Sequence, residues 1–174
     1  MKRILFAIPL LFSSSAFANY ETVGDVGQFA VPLAALAVAY AKDDTEGMKQ
    51  LFYGWGITQT ATHITKTITQ IERPNGKSCN SFPSGHTASA FSGATFLHHR
   101  YGIEYGFPAY LASVVVGHSR VHANKHWATD VVGAAALAYG VSYFITTQYE
   151  DPNLIVSPAN FGKDASGVLL SYTF

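Results

Sequence analysis

Cysteine is nearly absent: Cys79 is the only one in 174 residues. No intrachain disulfide can form, and no thiol pair is available for a zinc site. Charge is scarce as well, at 13% of residues, and it cancels, with 11 Lys and Arg against 11 Asp and Glu. A net charge of zero lacks the basic field that nucleic-acid binding needs, so no nucleic-acid partner is expected. Internal repeats and low-complexity tracts are missing. Alternation of strand and helix patterns is missing too, which argues against an α/β fold. No set of the seven histidines has metal-ligand spacing, so no metal site is expected.

What is present is apolar. Nearly half the residues (48%) are hydrophobic, with 12 Phe and 10 Tyr, enough for one domain with a real core. Residues 1–18 read as a secretory signal: Lys2 and Arg3 start it, Ile4 to Phe12 form a short apolar run, and Ala16-Phe17-Ala18 is an A-x-A cleavage pattern. Cleavage after Ala18 would remove two basic residues and leave a formal charge of minus two. Export makes the solitary Cys79 a small, partly buried loop residue rather than half of a bridge. The expected organisation is a signal at 1–18, a helical domain at 19–150, and a C-terminal tail at 151–174.

Five helical segments are expected. Gln28 to Ala41 is apolar, and Lys42-Asp43-Asp44 breaks it. Glu46 to Glu72 follows, capped by Asp44 or Thr45, and must stop near Arg73-Pro74 because the residue before proline avoids the helical region. Ser84 to Arg100, Phe107 to Ser119 and His126 to Gln148 are the others, and Asp151 onward is loop with strand-like composition from Gly167 to Phe174. The fold class is therefore all-α, a single bundle of about five helices. Val131 to Tyr149 runs 19 residues without a charge, close to a membrane span. Two readings stay open: a soluble helical core, or a bundle of short spans seated in the inner membrane with its site facing the periplasm.

Three segments carry chemistry. In the first, Lys66 and Arg73 are seven residues apart, which on a continuous helix places both cations on one face, where they can converge on an anion. In the second, Pro83-Ser84-Gly85-His86 sets a hydroxyl and a glycine at a helix start, where free N–H groups bind anions, with His86 beside them as an acid. In the third, Ser119-Arg120 precedes His126 and Asp130, a histidine and a carboxylate four apart. The carboxylate can hold one imidazole nitrogen as N–H and leave the other free to attack. Taken singly, each segment has an ordinary explanation as a solvated face, an N-cap or a helical i,i+4 pair. No core requirement asks for all three together.

At these spacings (K-x6-RP, PSGH and SR-x5-H-x3-D) the chain resembles the type 2 phosphatidic acid phosphatase superfamily, which includes bacterial acid phosphatases and vanadium haloperoxidases. The resemblance covers roughly residues 28 to 148. It implies a helical phosphatase that uses no cofactor. His126 would attack phosphorus, Asp130 would orient it, and His86 would protonate the leaving oxygen and then activate water. Lys66, Arg73, Ser84, Gly85 and Arg120 would hold the phosphoryl oxygens. The substrate would be a phosphomonoester or diphosphate, on a lipid such as phosphatidate, phosphatidylglycerol phosphate or a polyprenyl diphosphate. Alternatives are a broad soluble periplasmic acid phosphatase, vanadate-dependent halide oxidation, and a non-catalytic binder of phosphate headgroups. Of the other histidines, His63 lies on a helix face near Lys66, His98 and His99 end a helix where positive charge suits the dipole, and His118 and His122 flank Arg120.

Overall fold

From Thr87 to Leu97 only Phe91, Phe96 and Leu97 are large, and most of the stretch is fully buried. Its place in the fold explains this. The computed structural model describes residues 20–150, 154–160 and 166–172, so the signal segment lies outside the described residues. Among the described residues five helices form: α1 (Tyr20–Ala41), α2 (Thr45–Thr69), α3 (Gly85–Tyr101), α4 (Ile103–His122) and α5 (Ala128–Ile145). Helix α3 packs against all four others. A helix enclosed on every side can have its neighbours close only if its side chains are small. At Gly93, a Cβ would stand 2.8 Å from the backbone of Pro32 on α1. Two buried hydroxyls of α3 are satisfied within the helix: Ser92 donates to Ala88 O at 2.8 Å and Thr95 to Phe91 O at 2.8 Å.

Proline inside α1 creates a second tie. Pro32 has no N–H, so the carbonyl of Gln28 loses its helical partner. Ser89 of α3 donates to that carbonyl at 2.6 Å, and Trp55 Nε1 of α2 donates to Ser89 Oγ at 2.8 Å. One irregularity in α1 thus links three helices next to the cavity described below.

The far end of the bundle is closed by a buried ion pair. Arg100 donates to both oxygens of Asp44, at 2.6 and 2.7 Å. The same carboxylate caps α2 by accepting from Gly47 N at 2.8 Å, and accepts from Tyr101 OH at 2.7 Å. Burial alone would raise the Asp44 carboxyl, but Arg100, Tyr101 and Gly47 hold it down at about 2.

Helix limits differ from the sequence reading in instructive ways. Helix α1 starts earlier, at Tyr20, and α4 starts at Ile103 because Gly102, at φ 95°, reverses the chain in a single residue. Helix α5 is shorter at both ends than expected, beginning at Ala128. The tail is not loop over its first half: Leu154–Asn160 and Ser166–Tyr172 pair as antiparallel strands β1 and β2, with Leu154 opposite Tyr172. Pro158 within β1 obscured the strand pattern. Cys79 lies in a loop as expected, but it is exposed.

Helices α1 and α5 are long and apolar enough to cross a membrane, and only 22% of each apolar window is buried inside the bundle. The bundle turns large apolar side chains outward, among them Phe29 and Leu33 on α1, Phe107 and Leu111 on α4, and Tyr143 and Phe144 on α5.

Replacing Arg100 with Met should destabilise the fold by about 3–5 kcal/mol, because it leaves the Asp44 carboxylate buried without its cation. Denaturant unfolding of the purified variant against wild type measures this; a loss under about 1 kcal/mol would contradict it.

Candidate active site

Helix α2 ends at Thr69, where Gln70 turns left-handed (φ 46°, ψ 35°) and its N–H closes on Lys66 O. Arg73 is therefore not on the helix, which corrects the expectation of two cations on one helical face. They still converge, through the loop. The loop folds back on itself, with Arg73 N donating to Ser78 O and Gly76 N to Arg73 O, both at 2.9 Å. Arg73 Nε then donates to Asn80 Oδ1 at 2.9 Å, while Lys66 Nζ donates to the carbonyls of Asn80 (2.8 Å) and Ser81 (3.1 Å). Asn80 aligns both cations. The sequence reading missed it, because an Asn in a loop reads as ordinary turn chemistry.

His126 also sits outside a helix, immediately before α5, whose N-cap is Trp127. The expected i,i+4 helical pairing is replaced by a capping geometry. Asp130, in the first turn, reaches back with Oδ2 to accept from Trp127 N at 2.9 Å. The same oxygen lies 3.2 Å from His126 Nδ1 and accepts from the Ser81 hydroxyl. The Asp130 carbonyl accepts from Ser84 N at 3.1 Å. Asp130 thus fixes the imidazole and fastens the 81–84 loop to the start of α5. With Nδ1 turned to the carboxylate, Nε2 is the nitrogen available for chemistry.

A polar cavity of about 430 Å³ lies among these residues. Of the predicted site residues, Lys66, Arg73, Gly85, His86 and His126 line it. His63 lines it too, as do Gln59, Asn80, Trp55 and Ser89. Three predicted residues are not on its wall. Asp130 is behind His126, as an orienting group should be. Ser84 is fully buried as the N-cap of α3, its Oγ accepting from Thr87 N at 3.4 Å. Arg120 is 1% exposed in the last turn of α4, and its Nη1 donates to Asp25 of α1 at 2.5 Å. An apolar cleft of about 220 Å³ between α1 and α2, lined by Leu33, Leu36, Leu51 and Phe52, adjoins the polar cavity, and Phe29 and Trp55 line both.

The electrostatics follow from this packing. Burial, then the charges of Lys66 and Arg73, lowers the His126 imidazole to about 4, so it is neutral and unprotonated at neutral pH. Burial, then repulsion from Arg73, brings the Lys66 ammonium down to about 8. Burial, then Arg120, lowers His86 as well, against the pull of Asp25. The arrangement is a nucleophile-ready imidazole, two converging cations, a second histidine at a helix start, and room for a tetrahedral anion between them.

The fold and this constellation define a helical phosphatase. The PAP2 superfamily model matches residues 47–153, and the chain belongs to that family of phosphatases. It is 30% identical over 167 residues to the lipid A 4'-phosphatase of Helicobacter pylori, covering 87% of this chain and 84% of that one. Over 68 residues it is 46% identical to the lipid A 1-phosphatase of Porphyromonas gingivalis, covering 37% of this chain but only 15% of that longer protein. Among solved structures, Aquifex aeolicus LpxE aligns with a TM-score of 0.62 at 23% identity, over 72% of this chain and 81% of that one. The transmembrane PAP2-type phosphatidylglycerolphosphate phosphatase of Bacillus subtilis aligns with a TM-score of 0.59 at 21% identity, over 72% of each chain. These two structural likenesses bear on the fold.

Asn80→Ala should release Arg73 without disturbing the helices. Inorganic phosphate, measured as a competitive inhibitor, should bind about 3–10-fold more weakly, the worth of one hydrogen bond to a charged group. Unchanged inhibition would show that Asn80 does not align the cation.

Proposed function

We propose that the protein removes a phosphate group from a phosphorylated lipid, through a covalent phosphohistidine and without a metal. The observation that carries this reading is the shared cavity of Lys66, Arg73, His86 and His126, with Asp130 behind His126. His126 Nε2 attacks phosphorus, forming an N–P bond as the ester P–O bond breaks. The leaving oxygen takes a proton from His86. Water then attacks the phosphohistidine, giving its proton to His86, and inorganic phosphate departs as the N–P bond breaks. Lys66, Arg73 and the backbone at Gly85 hold the phosphoryl oxygens, and Arg120 adds its charge from behind. Ser84 secures the α3 terminus that presents Gly85 and His86. The cations neutralise the charge that a divalent ion balances in other phosphatases, so activity should withstand EDTA.

The lipid preference rests on the apolar cleft that meets the cavity at Phe29 and Trp55. Relatives named as lipid A phosphatases make a lipid A phosphate the first substrate to try, ahead of phosphatidate and polyprenyl diphosphate. On this reading helices α1 and α5 lie in the inner membrane with the site toward the periplasm, which is supported by their apolar outer faces and the export signal read at residues 1–18.

Acid-quenched enzyme incubated with 32P-labelled lipid phosphate should retain acid-labile label on His126, and His126→Ala should abolish both label and turnover. Turnover of a short water-soluble ester equal to that of the lipid in micelles would remove the lipid claim and favour the broad acid phosphatase. Phosphate release by His126→Ala at the wild-type rate would remove the nucleophile.

The pH dependence follows from the two histidines. His126 must be unprotonated, and its lowered value places the acidic limb of kcat/KM near pH 4. His86 must carry a proton, and its value lies below the usual 6.5, so activity falls as pH rises through that value. The profile should be a bell with its maximum between about 4 and 6.5. A maximum above pH 8 would contradict these assignments.

A further inference from the structure

Helix α1 contributes two carboxylates to the catalytic end of the bundle, and both lie outside the matched family segment of residues 47–153. Asp25 Oδ1 stands 3.0 Å from His86 Nε2 and accepts from Arg120 Nη1 at 2.5 Å. Glu21, one turn earlier, pairs with Lys125 and lies 3.8 Å from Arg120 Nη2, and its carbonyl accepts from that nitrogen at 3.4 Å. Tyr20 OH is bonded to His118 Nδ1 at 2.8 Å. The start of α1 is therefore held against the end of α4 by contacts at Tyr20, Glu21 and Asp25. Gly24 makes the approach possible, since a Cβ there would collide with Ser119 Oγ.

The geometry points to Asp25 as a positioning residue for the phosphatase reaction: its carboxylate, braced by Arg120, orients the His86 ring and keeps it able to hold the proton it delivers to the leaving group. The site then has two carboxylate–imidazole pairs, one for each histidine. Asp130 is buried and orients the nucleophile, while Asp25 is half-exposed and serves the acid. The groups facing His86 from the packed elements are Asp25 on α1, Arg120 on α4 and Lys125 on the α4–α5 loop. Both cations discourage protonation of the ring, and Asp25 is the group that opposes them. Without it, His86 would lose its proton at lower pH and would turn more freely.

This inference rests on His86 being the general acid, and the test separates the two. A general acid matters for a poor leaving group and little for a good one. Asp25→Asn keeps the shape of the side chain and removes its charge. For the full chain in detergent, kcat/KM on an alkyl phosphate should fall about 30–100-fold. On p-nitrophenyl phosphate, whose leaving group needs no proton, it should fall less than about 3-fold. The alkaline limb on the alkyl substrate should move to lower pH, and Asp25→Glu should restore most of the rate. In a His86→Ala background, adding Asp25→Asn should change nothing further. Equal losses on both substrates, an unmoved alkaline limb, or additive losses in the double variant would overturn the role of Asp25. His86→Ala with undiminished alkyl-phosphate turnover would instead overturn the acid assignment, whatever Asp25 does.

Discussion

The carboxylate of Asp130 is the constraint on which the site depends. It is almost fully buried, yet it serves three partners: the Ser81 hydroxyl, the Trp127 amide and His126 Nδ1. Its own carbonyl holds Ser84 N. One residue therefore ends a loop, starts a helix, orients an imidazole and sets the entry to α3. A buried carboxylate with three partners on one oxygen is held in place, because each lost bond would leave a costly unsatisfied group. That rigidity suits the nucleophilic role proposed for His126, since phosphoryl transfer depends more on placement than on any special reactivity.

Around this centre, the bundle solves a packing problem. The helix that carries His86 is also the one touched by all the others, so its sequence is small and hydroxylated rather than large and apolar. Bulky residues are displaced outward, onto α1, α4 and α5. A bundle arranged this way combines the polar cavity at one end with an apolar girdle around its flanks. The cleft between α1 and α2 joins those two regions, with Phe29 and Trp55 at the boundary. For an enzyme acting on a molecule with a charged head and a hydrocarbon body, such a boundary is where the two parts must be sorted.

Much of this was legible in advance, and the gaps have physical causes. Five helices and the three chemical segments were readable because apolar runs, proline breaks and fixed spacings are local signals. The sequence puts Arg73 on a helix because nothing local announces that Gln70 will adopt a left-handed backbone. It puts His126 inside α5 for a similar reason: whether a helix starts at residue 126 or 128 depends on what Asp130 finds to accept from. The first tail strand was hidden by Pro158, and Asn80 by its resemblance to any turn residue. Asp25 and Glu21 carry no sequence signal, because their meaning comes from residues 61 to 104 positions away.

By itself, the sequence determined the class of chemistry: a set of cations, two histidines and a carboxylate at fixed spacings on an apolar, helical chain. Periodicity and spacing are properties of neighbouring residues, and they survive without any knowledge of the fold. The tertiary structure alone decided which of those side chains share a cavity. It turned Lys66, Arg73, His86 and His126 inward, spent Ser84 on a helix cap, and tied Arg120 to α1. That division arises because a side chain's partner is chosen by packing and desolvation between distant segments, and neither has a counterpart in a linear pattern.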